Sequence, residues 1–559
     1  MDMVTLGSGL AVALLAVALV LFFRRKAGGR QTRKGYDSPT PPATDIPQLA
    51  PTVAADDGKR PTLRKETRTR AKKGATDINV GIDFGTSTTK VCLRETLGLD
   101  ADARLYPIEL ETGRGLLCPS LTVLDNGRLY FGAAAEARLG SSSCVSFPHL
   151  KVCLACEADG GRPLSDCRAV CQEEGACRGV FVSAGEAKAT ELATCFIAWV
   201  MATARQRVPE DLGELVRCSF TYNVGVPVGQ LEEAPSLMEA YLRVLQAAAR
   251  ISTEVQQGMR FDDALRLARE ALMMPLEGGN ASAAVQLCPE AEAAMISYLV
   301  SPDTPEGLYA LVDMGAWTTD ISIFRLTDLV GEENAGDRTV EYYAACSHRG
   351  ALNKVDEEVA TALRPAPPEP ALGRHQAPPT VSVAQIRRRR EMADYTGLGG
   401  LSNAGQIRSL AELFDLSRKN LAEEILAAFR SVLNDARQKA PDQSHWMEMQ
   451  HPTRGQPHTY AGKNPRGRVE VYVAGGGSAE QLVWNRIRES TVIRSVQVLQ
   501  PLGLTARLGM NVEVRFAVAQ GLAFPKALWP ESFGPSAVPP FPRPKRRQFV
   551  EVDEIGYGK

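Results

Sequence analysis

The sequence predicts an α/β protein made of two related lobes and preceded by one N-terminal transmembrane helix. Three observations carry that expectation. Short apolar strands alternate with long amphipathic helices from residue 78 onward, the pattern of layered α/β packing. Two strand–turn–strand segments of one design lie about 230 positions apart. A charge-free stretch of nineteen residues stands near the N-terminus.

That stretch, 5–23, reads TLGSGLAVALLAVALVLFF. At about 1.5 Å per residue it spans roughly 28 Å, close to the thickness of a bilayer core. A cleaved signal peptide carries positive charge before its apolar run and a small-residue site after it. Here Asp2 precedes the run, and Arg24, Arg25 and Lys26 follow it. The positive-inside rule therefore predicts a single-pass membrane protein whose bulk is cytoplasmic. Residues 24–76 are rich in Arg, Lys, Pro and Thr with few large apolar side chains. They cannot bury enough surface to fold alone, so a basic flexible linker is expected. Its charge serves as a stop-transfer and solubilising run, and it also suits anionic lipid headgroups. Over the whole chain 64 Lys and Arg face 65 Asp and Glu. A net charge of −1 gives no global pull toward nucleic acid, and none is expected as a partner.

Strands are expected at INVGIDF (78–84), SFTYNVGVP (219–227), LYALVDMG (308–315), DISIFRL (320–326) and VEVYVAGGG (469–477). Helices are expected over 190–205 and over 409–433. In the second, Leu413, Leu421, Ile425, Phe429 and Val432 recur at helical spacing. The Pro-rich 364–380 and the Arg387–Arg390 run read as a surface loop leading into a solvated helix start. Lobe I is placed at 77–307 and lobe II at 308–505. A helix returns to lobe I over 506–530, and a Pro-rich basic tail fills 531–559.

The chemistry lies in three glycine-bearing turns. In GIDFGTSTTKV (81–91) a strand delivers Asp83, then Gly85-Thr86-Ser87-Thr88 turns tightly. Consecutive backbone N–H groups in such a turn make an anion nest. The hydroxyls add donors, and a carboxylate at the strand end can hold Mg²⁺ through water. No Gly-Lys-Ser/Thr opens a helix here, so this is not a Walker loop. The second, LVDMGAWTTDISIF (311–324), repeats the design with Asp313, Gly315, Thr318, Thr319 and Asp320. The third, VYVAGGGSAEQLVW (471–484), runs a strand into Gly475-Gly476-Gly477-Ser478 and then a helix. Three glycines let a backbone approach a flat ligand closely.

In order and spacing these segments resemble the two phosphate motifs and the adenosine motif of the actin, hexokinase and DnaK-type (70-kDa heat-shock) ATPase superfamily. The resemblance is strongest to the nucleotide-binding domain of DnaK-like chaperones. Further segments resemble that family in the same order. They are CPSLTVLDNGRLYFGAAAEA (118–137), VGVPV (224–228), PEAEAAMISYL (289–299) and FAVAQGLAF (516–524). The likeness covers about 78–525 and implies an actin-like fold with duplicated ribonuclease-H-like lobes. It implies ATP and Mg²⁺ as ligands and slow ATP hydrolysis driving lobe closure and reopening. Thr86, Ser87 and Thr318 would hold phosphate oxygens, Asp83 and Asp313 would hold Mg²⁺, and Lys151 would neutralise the γ-phosphate. Glu290 and Asp320 would orient the attacking water. Gly85 and Gly315 would shape the phosphate turns, and Gly475, Gly476 and Gly477 would abut the nucleoside. The adenine-clamping helix would fall within 409–433.

Departures from the family are specific. Ala316 and Trp317 stand where it has glycines. Trp317 would either crowd the γ-phosphate or turn outward. The family's Gly-Gly-x-x-Phe-Asp is matched only by Gly350, Val355 and Asp356. The residues after 525 in this sequence are not expected to form the family's β-rich peptide-binding domain. The expectation is therefore a nucleotide-gated switch at the membrane, chaperone-like, with an unidentified protein partner. Alternatives are an actin-like filament protein or a pseudo-ATPase scaffold; a sugar or acetate kinase lacks a substrate-domain signature.

Cys153, Cys156, Cys167, Cys171 and Cys177 crowd 25 residues of an apparent insertion at 152–180. The first four offer a CxxC and a Cx₃C pair to one Zn²⁺. Disulfide or redox use, and no joint role at all, remain open beside zinc.

Overall fold

A computed structural model describes residues 76–95, 105–139, 141–158, 187–208, 218–227, 236–276, 285–300, 304, 307–328, 338–348, 350–363, 386, 404–439, 469–489, 493–499, 514–526 and 529–533. The fold is mixed α/β, with three sheets among the described residues. The chain opens with β1 (Thr76–Phe84), β2 (Thr88–Glu95), β3 (Leu105–Ile108) and β4 (Cys118–Pro119). Next come β5 (Thr122–Asp125), β6 (Arg128–Phe131), α1 (Gly132–Glu136), β7 (Cys144–Phe147) and α2 (Leu150–Ala158). Then follow α3 (Ala189–Gln206), β8 (Cys218–Val226), α4 (Ser236–Ile251), β9 (Met259–Arg260), α5 (Phe261–Met273), β10 (Val285–Pro289) and α6 (Glu290–Leu299).

These strands make two sheets. The first has the order β10-β8-β1-β2-β3, with β4 beside β2; β1 runs parallel to β8 and antiparallel to β2. The smaller sheet is β7-β5-β6-β9. Its tightest link is Asn126-Gly127, where both residues have positive φ (50° and 71°). Such backbone matches the twist of a two-residue hairpin.

The second large sheet comes from the rest of the chain. It uses β11 (Gly307–Met314), β12 (Thr319–Asp328), β13 (Arg338–His348), β14 (Val469–Ala474), β15 (Ile493–Val498) and β16 (Glu531–Phe533) in the order β15-β14-β11-β12-β13-β16. Its helices are α7 (Leu352–Ala362), α8 (Ala404–Lys439), α9 (Gln481–Arg488) and α10 (Ala517–Leu522). In each large sheet the first antiparallel hairpin, β1–β2 or β11–β12, is flanked by a parallel strand on the far side of its first member. The strands expected at 78–84, 219–227, 308–315, 320–326 and 469–477 and the helices expected over 190–205 and 409–433 are present within a few residues. Of the helix expected over 506–530 the described part is Ala517–Leu522. One correction concerns the expected tail: 531–533 is strand β16, parallel to β13.

The cores explain the layering. β1 is buried from Ile78 to Phe84 because it is central in its sheet, so Ile78, Val80, Ile82 and Phe84 are all core residues. Phe84 at its end packs on Phe196 of α3 at 5.7 Å between ring centroids, and Phe131 lies 6.3 Å from Phe196 and 5.6 Å from Trp199. Replacing Phe196 with Ala would cost about 3–5 kcal/mol and would loosen the strand end that carries Asp83. α3 starts where Glu191 accepts the Lys188 N–H at 3.0 Å, satisfying a terminal donor. α10 is tied to the first sheet by Asn223 of β8, whose Nδ2 donates to Leu522 O at 2.6 Å and Phe524 O at 3.1 Å.

Among the described residues no helix is long and apolar enough to cross a membrane. The anchor at 5–23, most of the linker, the 364–380 loop, Arg387–Arg390 and residues 534–559 lie outside the described residues.

Candidate functional site

The first turn sits at the tip of the β1–β2 hairpin. The last ladder pair is Phe84↔Thr89, and Asp83 stands opposite Lys90. Gly85 N–H donates back to Asp83 O at 3.1 Å. β4 braces the turn: Ser120 N–H donates to Ser87 O at 2.9 Å, and the Ser120 and Thr89 hydroxyls meet at 2.8 Å. The second turn has the same construction. Met314↔Thr319 closes the β11–β12 ladder, and Gly315 N–H donates to Thr318 O at 2.9 Å. Asn353 N–H, from the first turn of α7, donates to Ala316 O at 2.8 Å, and the Thr319 hydroxyl donates to Gly350 O. Gly350 therefore supports the second turn, while Val355 and Asp356 are fully buried in α7.

The third turn reaches the second. Gly475 has φ 77°, a conformation side chains resist. A Cβ there would strike Asp313 Oδ1 and lie 2.6 Å from Met314 O. Gly475 is thus required twice, by its backbone and by the carboxylate against it. Ser478 holds the turn through its hydroxyl on Gly475 O at 2.7 Å, and Trp484 Nε1–H donates to Gly477 O at 3.0 Å.

Lys151 and Glu290 come from other elements. Lys151 is the second residue of α2, and Glu290 opens α6 immediately after Pro289. Lys151 Nζ lies 2.6 Å from Glu290 Oε1 with both side chains buried. Glu290 can lie against β8 only because Gly225 has no side chain; a Cβ there would sit 2.6 Å from Glu290 Cγ.

The electrostatics show that these groups share one neighbourhood. Burial pushes the Asp313 carboxyl up to about 7, and the negative charges of Glu290 and Asp83 add to the shift. Burial and Glu290 push Asp320 up to about 8, while the Ser347 hydroxyl bonded to it works the other way. Glu290 is raised by burial and by Asp83, with Lys151 opposing. Burial alone would lower the Lys151 ammonium, but Glu290, Tyr241 and Asp83 outweigh it and hold it above its ordinary value. Four carboxyl groups thus share the neighbourhood of two ammonium groups, Lys151 and Lys90, and two of the four, Asp313 and Asp320, hold their protons to about pH 7 and about pH 8.

Lys90 is a site residue that sequence reasoning does not single out. Its Nζ lies 2.6 Å from Asp83 Oδ2, with side-chain exposures of 11% and 9%. The signal is the hairpin register, which places position 90 opposite position 83 once the turn length is known. Arg418 of α8 is a second such residue. It pairs with Glu480 at 2.9 Å, joining α8 to the end of the third turn, and with Asp415 at 3.2 Å.

Trp317 does not turn outward. It is 7% exposed, and its ring meets that of His149 at 4.4 Å, edge to face. Thr318 keeps its hydroxyl 3.4 Å from Asp320 Oδ2. Thr86 and Gly476 remain partly exposed, and a Cβ on Gly476 would meet only Arg515 Nε, at 3.8 Å.

Of the cysteine cluster, Cys153 and Cys156 are buried in α2. Cys156 is disulfide-bonded and so offers no thiolate here. Cys167, Cys171 and Cys177 lie outside the described residues. Among the described residues no three His, Cys, Asp or Glu side chains converge to ligate one metal ion directly. No family model matches this chain, and no curated protein matches it at a significant level.

Proposed function

We propose that the chain is a membrane-anchored ATP-binding protein of the actin and DnaK-type superfamily, a nucleotide-driven switch with slow hydrolysis. One observation carries this reading. Turns built around Asp83, Asp313 and Gly475 are remote in sequence, yet Gly475 packs on Asp313 and Asp313 feels Asp83, Glu290, Lys90 and Lys151. A cluster with more carboxylates than ammonium groups suits a divalent cation, and paired glycine turns suit a polyphosphate.

The residues present fit that pair of ligands. Asp83 and Asp313 would hold Mg²⁺ through waters, since among the described residues no three carboxylates converge for direct ligation. The ion would supply charge neutralisation on the phosphate oxygens. The turn at 85–88 and the turn at 315–318 would receive phosphate oxygens on backbone N–H groups and on the Thr86, Ser87 and Thr318 hydroxyls. Lys151 would leave Glu290 in part to meet the terminal phosphate, freeing the carboxylate to orient water. Asp320 would assist it, held in place by Ser347. Gly475, Gly476 and Gly477 would lie under the nucleoside, with Arg418 and Glu480 at its side. Two lobes, each built on one large sheet, would close on the nucleotide. The 5–23 segment would hold this cycle at the membrane, where a protein partner would read it.

The test is nucleotide binding to the full chain in detergent, by calorimetry with Mg-ATP and Mg-ADP. Binding of both is the expected result; no heat at millimolar nucleotide with folded protein would remove the reading. The anchor is tested separately. A C-terminal reporter should be active only when it works in the cytoplasm, and the mature N-terminus should precede residue 23.

A second reading, a binding switch without turnover, is favoured by Trp317 standing buried in the second turn. Measurable binding with no phosphate release would select it.

A further inference from the structure

Trp317 is buried yet belongs to none of the large cores. The only apolar side chain packed on it, among the described residues, is its neighbour Ala316. Its ring also meets that of His149, a residue held at φ 59° in the left-handed region and two positions before Lys151. A non-glycine residue in that region is uncommon and costs of order 1 kcal/mol or more. The backbone before α2 is therefore set so that an imidazole meets the indole edge to face. Trp317 reaches from the second turn to the element that carries Lys151.

The indole also has an unanswered polar atom. Its Nε1–H is fully buried and has no hydrogen-bond partner among the described residues. Indole N–H is a donor only, so nothing but an acceptor can satisfy it. An unmade hydrogen bond in a buried place is costly, and native structures rarely leave one without a reason. The turn bearing it is fixed on both sides, by Gly315 N–H on Thr318 O and by Asn353 N–H on Ala316 O. The backbone that carries the indole is thus held on both sides, and the ring is 7% exposed.

We propose that Trp317 is a specificity-determining residue, whose indole N–H is kept for an oxygen of the third phosphate of a nucleoside triphosphate. This rests on the nucleotide reading given above. The residue substitutes a side-chain donor for a close-approaching backbone at this turn, and it favours the triphosphate over the diphosphate. A hydrogen bond to a charged oxygen is among the stronger ones, and losing it reduces affinity by roughly tenfold or more.

The experiment compares the full chain with Trp317→Phe, which keeps the ring and removes the donor. Affinities are measured for Mg-ADP and for a non-hydrolysable Mg-ATP analogue. The expected result is an analogue affinity about tenfold weaker with Mg-ADP affinity within about twofold. Equal affinity loss for both ligands, or no loss for either, overturns the proposal while leaving nucleotide binding intact. Wild-type chain that binds neither ligand removes the nucleotide reading and this proposal together. A second measurement does not depend on the variant's folding. With ¹⁵N-labelled tryptophan the five tryptophans give indole N–H signals, one of which should shift on adding the analogue and stay unmoved with Mg-ADP. No such shift also overturns the proposal.

Discussion

Lys151 and Glu290 lie 139 positions apart, yet Nζ and Oε1 meet at 2.6 Å with both side chains buried. A buried pair of this kind is costly to break by removing one partner, because the other charge is left uncompensated. The expected penalty is about 3–5 kcal/mol. Lys151→Ala should therefore lower the melting temperature strongly, and adding Glu290→Gln should restore part of the loss. Glu290→Gln alone should leave nucleotide affinity close to wild type and cut turnover by about 10²–10⁴, the usual worth of one positioned acid–base group. Equal loss of binding and turnover in Glu290→Gln would assign the residue to ligand binding instead.

The three glycines of the third turn are not equivalent. Gly475 has positive φ and its missing Cβ leaves room for Asp313; Gly477 leaves room for the Met314 side chain; a Cβ on Gly476 would make only an ordinary contact with Arg515. Gly475→Ala should cost more than about 2 kcal/mol by denaturant titration, combining backbone strain with displacement of a carboxylate. Gly476→Ala should stay within about 1 kcal/mol of wild type. It should weaken nucleotide binding nonetheless, because the ligand would meet the new methyl group. Similar stability losses at 475 and 476 would contradict this division.

Asp313 and Asp320 make the stability of the ligand-free chain depend on pH in an unusual direction. Their protons are held to about pH 7 and about pH 8 in the folded state, against an ordinary 3.8. A raised acid favours folding while protonated, so its contribution is whole below about pH 4 and is lost as pH rises through those values. Melting temperature should fall steadily from about pH 5 to about pH 8.5, with a loss of at most about 1.4 kcal/mol per pH unit for each carboxyl. Asp320→Asn should flatten the upper part of that decline. Because a bound divalent cation displaces the protons, its affinity should rise over the same interval. A melting temperature that stays flat or climbs across that interval would contradict folded-state values raised above the ordinary range.

Much of this arrangement is legible in the sequence. Apolar strands ending in Asp-x-Gly at 83 and 313 are recognisable because a buried strand needs a continuous apolar run and a tight turn needs glycine. The return of 516–524 to the first sheet is carried only by resemblance. What the sequence does not reveal depends on contacts between distant segments. Lys90 looks like an ordinary strand charge until the β1–β2 register places it against Asp83. Arg418 is one of several charges on a long helix, and only its packing beside Glu480 distinguishes it. The direction of Trp317 is undetermined by its neighbours in the chain because a turn residue can face either way; His149, with its left-handed backbone, decides it. β16 is hidden in a Pro-rich stretch whose strand propensity is weak, and it forms by adding to the edge of β13.

The Lys90–Asp83 pair makes a prediction with two opposite signs. Lys90 Nζ sits 2.6 Å from Asp83 Oδ2, so without ligand the ammonium occupies the place of a cation on that carboxylate. A divalent ion arriving alone must compete with it, whereas an ion arriving with a polyphosphate offers Lys90 a new partner in the phosphate oxygens. Removing the ammonium while keeping the stem, as in Lys90→Met, should therefore strengthen binding of Mn²⁺ or Mg²⁺ alone. The same change should weaken Mg-nucleotide by about tenfold or more, the loss of one charge-assisted hydrogen bond. Paramagnetic titration with Mn²⁺ reads the first effect and calorimetry with Mg-ADP reads the second. Weakening of both would mean that Lys90 chiefly holds the hairpin together. Strengthening of both would mean that it only shields Asp83 and never meets a phosphate.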